Sequence, residues 1–549
     1  MLLLGGCART LPPLPLRLEP VAFADTLPIP EPGEQEENRI IRILTVQAPY
    51  DMAEPFKVPE GEALNRTHMD DAVSSAWWER RMGYREVTPE ELVVGHLLEG
   101  GAPDMEGELQ VTGAKIGGVT AGFQMKDAKG DRFIIKFDHP DWPYLQSSVG
   151  VIVNRLMWGA GYWVPDDYVT MLDSANLTVD EGAEVDVDGV ERPMTMDDVR
   201  EVLKLASPLP NGRFRVVASK FVPGIPKGTI MLSATRADDP NDHFRHEHRR
   251  ELRGLRMISA WLNNTDAREG NTMDVYIDPP GYLRHYIIDF AAALGSSTDR
   301  AKHPKDDVER PADFWRSLKR IATLGFYKEG WEDYPHLVPH PEIGYVKSEV
   351  FDPDEWKAAW DNPAFFAMTE ADGYWAAKIV SAFTDAHIRA AVETGELPSA
   401  ELEDTLTEVI SLRRDRVVQR YFSSVTPLEE ARVEGSRGGG FTLSFEDLGL
   451  DRGVWQPGAT HYAWSLSHPA RGIDASGEAP ARAGAQSLAI TVPAGASAAE
   501  LEGEEALAQL RVLAVRDVYH MDDEEPRAAT VWLRWDGRAG AYQVVGLEH

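Results

Sequence analysis

The chain of 549 residues contains a single cysteine. One thiol cannot close an intrachain disulfide, so no disulfide framework holds this protein together. Long apolar runs are missing as well. No stretch of roughly 18 apolar residues occurs, which excludes a helix that spans a bilayer. Positive charge is scarce: 56 Lys and Arg stand against 89 Asp and Glu, a formal net charge of −33. Surfaces that bind nucleic acid or anionic lipid need dense cations, so this balance argues against both. The acidity reads instead as a contribution to solubility. What is present is a globular composition, 43% hydrophobic and 26% charged. The length is too great for one core, and about two to four domains are expected.

The one cysteine, Cys7, follows Leu4-Gly5-Gly6. This run resembles the lipobox of bacterial lipoproteins, where small residues precede a Cys that is lipidated after cleavage. The resemblance implies a lipid anchor at Cys7 as the chain's only attachment to a membrane. It also implies a cell-envelope location: Ala8, rather than Asp, after the Cys points to the outer membrane or its periplasmic face. A cytoplasmic location with an accidental Cys is the alternative. Such leaders carry a basic start and a longer apolar segment. Only three leucines precede the box here, which implies a start upstream of Met1. Residues 1–60 therefore read as leader plus a Pro/Glu-rich tether.

Residues 61–109 are expected to be a helical extension. One helix is predicted within 70–84, and a second opens at Thr88-Pro89-Glu90-Glu91, a capping box with Pro at the first helical position. From 110 the pattern turns strand-like, breaks at glycines, turns at Lys129-Gly130 and ends in the apolar run "RFIIKFD". A helix to about Gly159, a strand, and another strand at 213–224 follow. A long helix is predicted over 240–266, where Leu252, Leu255, Ile258 and Leu262 keep the spacing of a buried stripe. His243, His246 and His248 within it read as solvated or loop-pairing side chains, not a zinc site. Helices are predicted from Thr369, with Asp372 closing its cap, and over 399–422, with Arg413 and Arg414 on a solvated face. Residues 435–549 alternate in short segments: Phe441/Leu443/Phe445, Tyr462/Trp464/Leu466, Leu488/Ile490/Val492, Leu513/Val515 and Val531/Leu533/Trp535. They read as a small β-sandwich.

One stretch concentrates the chemistry. Phosphoryl transfer from a nucleotide needs a backbone cradle and a cation for the phosphates, oxygen ligands for Mg²⁺, and an Asp to accept the proton of the attacking hydroxyl. In "KIGGVTAGF", Gly117, Gly118 and Gly122 lie between two strands. Lys136 sits mid-strand among apolar residues, where a buried ammonium needs an anionic partner. Asp266 and Asn271 are five residues apart at the end of the long helix, and "YIIDF" carries Asp289 at a strand end. At these residues the chain resembles the protein-kinase-like superfamily, in its atypical branch of HipA-like and phosphatidylinositol-kinase-like proteins. The resemblance covers residues 110 to about 430, with an N-lobe over about 110–225 and a C-lobe over about 226–430. It implies Asp266 as the catalytic Asp, Asn271 and Asp289 as metal ligands, Lys136 as the nucleotide lysine and Gly117, Gly118 and Gly122 as the phosphate loop. The implied cofactors are ATP with Mg²⁺ or Mn²⁺. The acceptor is a hydroxyl on an unidentified protein or small molecule. The expected class is α+β: a two-lobed kinase-like domain followed by an all-β sandwich-like domain.

The pattern departs from the superfamily in three places. The catalytic loop reads Asn264-Thr265-Asp266, and the metal motif reads Asp289-Phe290-Ala291 without its glycine. Residues 142–165 contain no Asp or Glu, so the helix carboxylate that pairs with the lysine is missing; Gln146 and Asn154 are weak substitutes. Taken singly, each candidate has a plainer reading: a hairpin turn for the glycines, a snorkelling Lys136, helix or turn caps for Asp266 and Asn271. Their joint order supports the kinase-like reading. The alternatives are an inactive kinase-like scaffold, or an envelope binding or adhesion protein that engages a partner through residues 435–549.

Overall fold

The structure is a computed structural model that describes residues 24–35, 61–96, 101–115, 120–187, 190–311, 313–333, 338–436, 440–493, 496, 500–516 and 526–549. Cys7, Gly117 and Gly118 lie outside them. The fold is α+β, and three large hydrophobic cores organise it.

The first core lies under a six-stranded sheet. Its strands are β1 (Leu109–Ala114), β2 (Gly122–Lys126), β3 (Arg132–Phe137), β4 (Asp167–Leu172), β5 (Leu177–Val179) and β8 (Phe214–Lys220), in the order β4-β8-β3-β2-β1-β5. A side hairpin, β6 (Glu184–Val187) and β7 (Val190–Pro193), precedes β8. Alternation does the sorting: Phe133, Ile135 and Phe137 of β3 point into the core, which leaves Ile134 and Lys136 on the other face. The strand register aligns Lys136 with Val217 and Val169, and Ile134 with Ser219 and Asp167. Lys136 therefore sits on a central strand, not an edge.

The second core is mainly helical. It gathers α2 (Leu145–Gly159), α4 (Arg250–Trp261), α7 (Glu370–Ser381), α8 (Asp385–Glu393) and α9 (Ala400–Ser424), with α1 (Pro89–Val94), α3 (Met196–Lys204), α5 (Phe314–Ala322) and α6 (Pro363–Phe366) outside or at its margin. A small sheet, β9 (Ile225–Pro226), β10 (Thr272–Ile277) and β11 (Tyr282–Ile287), leads out of this body in the order β11-β10-β9. Leu252, Leu255, Ile258 and Leu262 are all buried, so the expected stripe packs inward. Both caps expected at Thr88 and Thr369 form. The Thr88 side chain accepts from the Glu91 amide, and Thr369 and Asp372 make a reciprocal capping box.

The third core fills a β-sandwich. The sheet β12 (Leu428–Ser436), β13 (Gly440–Asp447) and β16 (Gln486–Thr491) faces a five-stranded sheet. The latter is ordered β15 (Ile473–Pro480), β14 (Thr460–His468), β17 (Leu507–Arg516), β18 (Ala529–Asp536), β19 (Ala541–Glu548).

Four local expectations fail, each to tertiary packing. Residues 70–84 form turns and bridges rather than a helix. Trp77 and Trp78 are both buried, and Trp78 Nε1 donates to the Ala160 carbonyl at 2.8 Å while Arg81 donates to Trp158 O at 2.6 Å. Two consecutive tryptophans cannot share one narrow stripe of a helix, and the polar tips pin the segment instead. The predicted helix over 240–266 breaks at Arg249. His246 is buried, holding Asp242 Oδ2 and the Met231 carbonyl, and only a short turn at His246–His248 precedes α4. In β17 it is Ala508, Leu510, Val512 and Ala514 that face the core, one residue out of phase with Leu513 and Val515. Arg413 is fully buried, not solvated.

Candidate functional site

The sheet face that carries Lys136 looks across to the loops after α4 and β11. Lys136 Nζ lies 3.0 Å from Asp289 Oδ1, with side chains 14% and 37% exposed. This ion pair ties the sheet to the helical body. Asp289 takes a left-handed backbone, φ 59°, directly after β11, and that turn aims its carboxylate at the sheet. Burial acts to raise the Asp289 pKa, but the Lys136 ammonium and its hydrogen bond overcome it, and the carboxyl sits below the ordinary range.

Asp266 and Asn271 come together as one unit. Asn271 Nδ2 donates to both the carbonyl and Oδ2 of Asp266, each at 2.8 Å, and Arg268 Nε donates to Oδ1 at 2.9 Å. Burial raises the Asp266 carboxyl, opposed by Arg268 and Asn271 and reinforced by the negative charge of Asp289. The unit is stitched to β11 through the Ile288 amide, which donates to Asn271 O at 2.9 Å. Because Asn271 uses its amide nitrogen on Asp266, its amide oxygen faces other demands. An amide oxygen and a carboxylate such as that of Asp289 are hard donors, the type that Mg²⁺ or Mn²⁺ prefers.

Gly122 opens β2 opposite Lys136. A Cβ there would collide with the Ile135 carbonyl, so the strands can approach only with glycine at this position. Three side chains not foreseen from the sequence join the site. Lys115, at the end of β1, donates to Thr120 O at 3.1 Å; burial and the neighbouring Lys136 lower its pKa, and Asp289 opposes them. Arg268 is the second. The third is Asp167 at the start of β4, 5% exposed and on the same sheet face as Lys136. Burial pushes its carboxyl up to about 6 against the pull of Lys136.

Asp167 bears on the missing helix carboxylate. The charges are inverted: helix α2 carries Arg155, whose guanidinium lies 3.7 Å from Asp166 Oδ1 and donates to Asp167 O at 2.9 Å. The carboxylates stand after the helix, Asp166 just before β4 and Asp167 at its first position. Asn154 is no substitute, since its amide donates to Pro165 O at 2.7 Å. The signal was legible in Asp166-Asp167, an acidic pair that opens a strand directly after an acid-free helix. Among the described residues no cluster of His, Cys, Asp and Glu is arranged to hold a metal by itself, the three histidines of 243–248 included.

No family model matches the chain, and no curated protein matches it in sequence. Among solved structures, the crystal structure of a Helicobacter pylori proinflammatory kinase, CtkA, aligns with 56% of this chain and 93% of its own, at 11% identity and a TM-score of 0.29. That similarity is too distant to pass residue roles from one chain to the other.

Proposed function

We propose that this site binds a nucleoside triphosphate, ATP in the first instance, and transfers its terminal phosphoryl group to a hydroxyl. The observation that supports the reading is the Lys136–Asp289 ion pair, a cation of the kind that binds phosphate beside a carboxylate of the kind that binds a metal, joined across two parts of the fold. Lys136, with Lys115 beside it, supplies cations for the phosphates. Asn271 and Asp289 would hold Mg²⁺ or Mn²⁺, which when bound neutralises charge on the phosphate oxygens. Asp266, oriented by Arg268 and Asn271, accepts the proton of the attacking hydroxyl, and its raised pKa suits a general base. Gly122 would let backbone come close to the phosphates, and the proposal includes Gly117 and Gly118, which lie outside the described residues. The acceptor is a protein or small-molecule hydroxyl.

The test is transfer of radiolabel from ATP, abolished in Asp266→Asn. Thermal stabilisation by ATP with Mg²⁺ or Mn²⁺ tests binding separately, because a ligand selective for the native state raises its melting point. One observation favours a second reading, binding without transfer: both Asp266 oxygens are already engaged by Arg268 and Asn271. Stabilisation without transfer would select it. We extend the proposal to an envelope lipoprotein anchored through Cys7, tested by palmitate labelling lost in Cys7→Ser, with the sandwich of residues 435–549 as the face for a protein partner.

A further inference from the structure

Beneath the Asp266 loop lies a buried lysine with no part in the roles above. Lys302 is 2% exposed. Its ammonium donates to the carbonyls of Asn263 and Ala292, the latter at 3.0 Å. Asn263 precedes Asp266 by three residues, and Ala292 follows Asp289 by three. The same two segments are laced by backbone bonds from Thr265 N to Ala292 O at 3.2 Å and from Leu294 N to Leu262 O at 2.8 Å, and by Asn263 Nδ2 to Leu294 O at 2.9 Å. A cation there also faces the carbonyl-rich, negative end of α4. Among the described residues no carboxylate hydrogen-bonds to it: Asp307, among the charges nearby, is held by Lys347 at 2.6 Å, and Asp306 by Arg300 at 3.1 Å.

We propose that Lys302 is a positioning residue that clamps the Asp266 loop to the Asp289 segment and so sets the gap between the proton acceptor and the metal ligands. The inference rests on the phosphotransfer reading for its consequence, but not for its geometry. The charged groups acting on the clamp are Asp307, Asp306 and Asp266, which favour the ammonium, and Arg413, which opposes it. Burial dominates and brings the amine down to about 7. A charged donor binds carbonyls more tightly than a neutral amine, so the clamp is tighter below neutrality than above it.

Two measurements on the full chain test this. The first needs no ligand: hydrogen exchange of peptides covering 262–294 in the wild type, Lys302→Met and Lys302→Arg. The clamp requires exchange there to rise in Lys302→Met by roughly tenfold, while the sandwich strand 460–468 stays unchanged. Unchanged exchange in 262–294 overturns the proposal, as does an equal rise everywhere. The second is the thermal shift with Mg²⁺-ATP between about pH 6 and 9. The wild-type shift should shrink as pH rises through neutrality, Lys302→Arg should hold it level, because guanidinium stays charged, and Lys302→Met should lower it at every pH. A wild-type profile that Lys302→Arg fails to flatten overturns the clamp's role in the cleft. A wild type that ignores nucleotide at every pH, with exchange behaving as required, overturns the phosphotransfer reading and supports the clamp.

Discussion

Lys136 and Asp289 depend on each other through a short, partly buried contact. Removal of the ammonium leaves Asp289 with burial and without its main counter-charge, so Lys136→Met should raise the Asp289 carboxyl. Sign follows from linkage. The Asp289 pKa is depressed in the folded state, so its contribution to stability is present above the unfolded value near 4 and is lost as pH falls through the folded one. Acid titration of the melting point should therefore be flatter in Lys136→Met than in the wild type below about pH 4. Loss of one charge-assisted hydrogen bond to phosphate is worth about 1.5–3 kcal/mol, so nucleotide affinity should drop on the order of 10- to 100-fold, as calorimetry would show. Asp167 behaves in the opposite sense. Its folded pKa, about 6, exceeds the unfolded value, so ionising it costs stability as pH rises from about 4 through 6. Asp167→Asn should abolish that decline while weakening nucleotide binding. A variant with the wild-type pH profile would mean that the carboxyl is not buried beside Lys136.

At the scale of elements, the loop bearing Asp266 is held by what lies behind α4. Arg413, from the middle of α9, donates to the carbonyls of Ala260, Trp261 and Lys347, and its guanidinium stacks 3.6 Å from the Phe351 ring centre. It thus caps the C-terminal end of α4 in place of solvent. Burial lowers its pKa to about 10, with Asp307 the opposing charge. Arg413→Met would strand three buried carbonyls, a loss of about 3–5 kcal/mol. Thr369→Ala, which removes the cap at the start of α7 and a hydrogen bond to Glu62 at 2.8 Å, should cost about 1–2 kcal/mol. Urea midpoints for the two variants at an unchanged slope would rank them; equal shifts would deny Arg413 its capping role. This contrast also shows where the sequence was legible. The Thr369 cap is local, so residues 369–372 announce it. The Arg413 cap joins residues 260 and 413, and nothing in the neighbouring sequence distinguishes a buried arginine from the solvated Arg-Arg pair it resembles. The candidate site divides in the same way. Asp266, Asn271 and Asp289 stand at the ends of patterned elements and could be picked out. Lys115 and Asp167 reach the site through strand register, and Lys302 lies beneath the Asp266 loop through loop packing; the acidic pair at 166–167 hinted at Asp167, but periodicity encodes none of these contacts.

At the scale of the molecule, the last strand of the sandwich packs back on the helical body. Strand β19 ends against residues 66–70: Leu547 N donates to His68 O at 2.8 Å, Arg66 meets Glu548 at 3.1 Å, and His549 N donates to Asp70 Oδ2 at 3.1 Å. Asp70 is itself a buried anion inside the helical body, 2.6 Å from Arg250, which also meets Asp372 at 2.9 Å; all three side chains are fully shielded. Burial alone would raise the Asp70 carboxyl, but Arg250 and His549 overcome it and hold it far below the usual range. Sandwich and body therefore share one charge network, and the first turn of α4, the helix that leads to Asp266, is anchored in it. We expect the two to unfold together, with near-ultraviolet signals and calorimetric heat giving one coincident transition. Asp70→Asn removes one of the buried carboxylates on Arg250 while Asp372 keeps the other contact, a loss of about 1.5–3 kcal/mol that should lower the midpoint of both parts. Its folded pKa lies below the unfolded one, so the stabilisation is present above about pH 4 and fades as acid approaches the folded value; the variant should lack that acid-dependent slope. Two separate transitions in the wild type, with Asp70→Asn moving only one of them, would show that the sandwich is an independent passenger and that α4 takes no support from it.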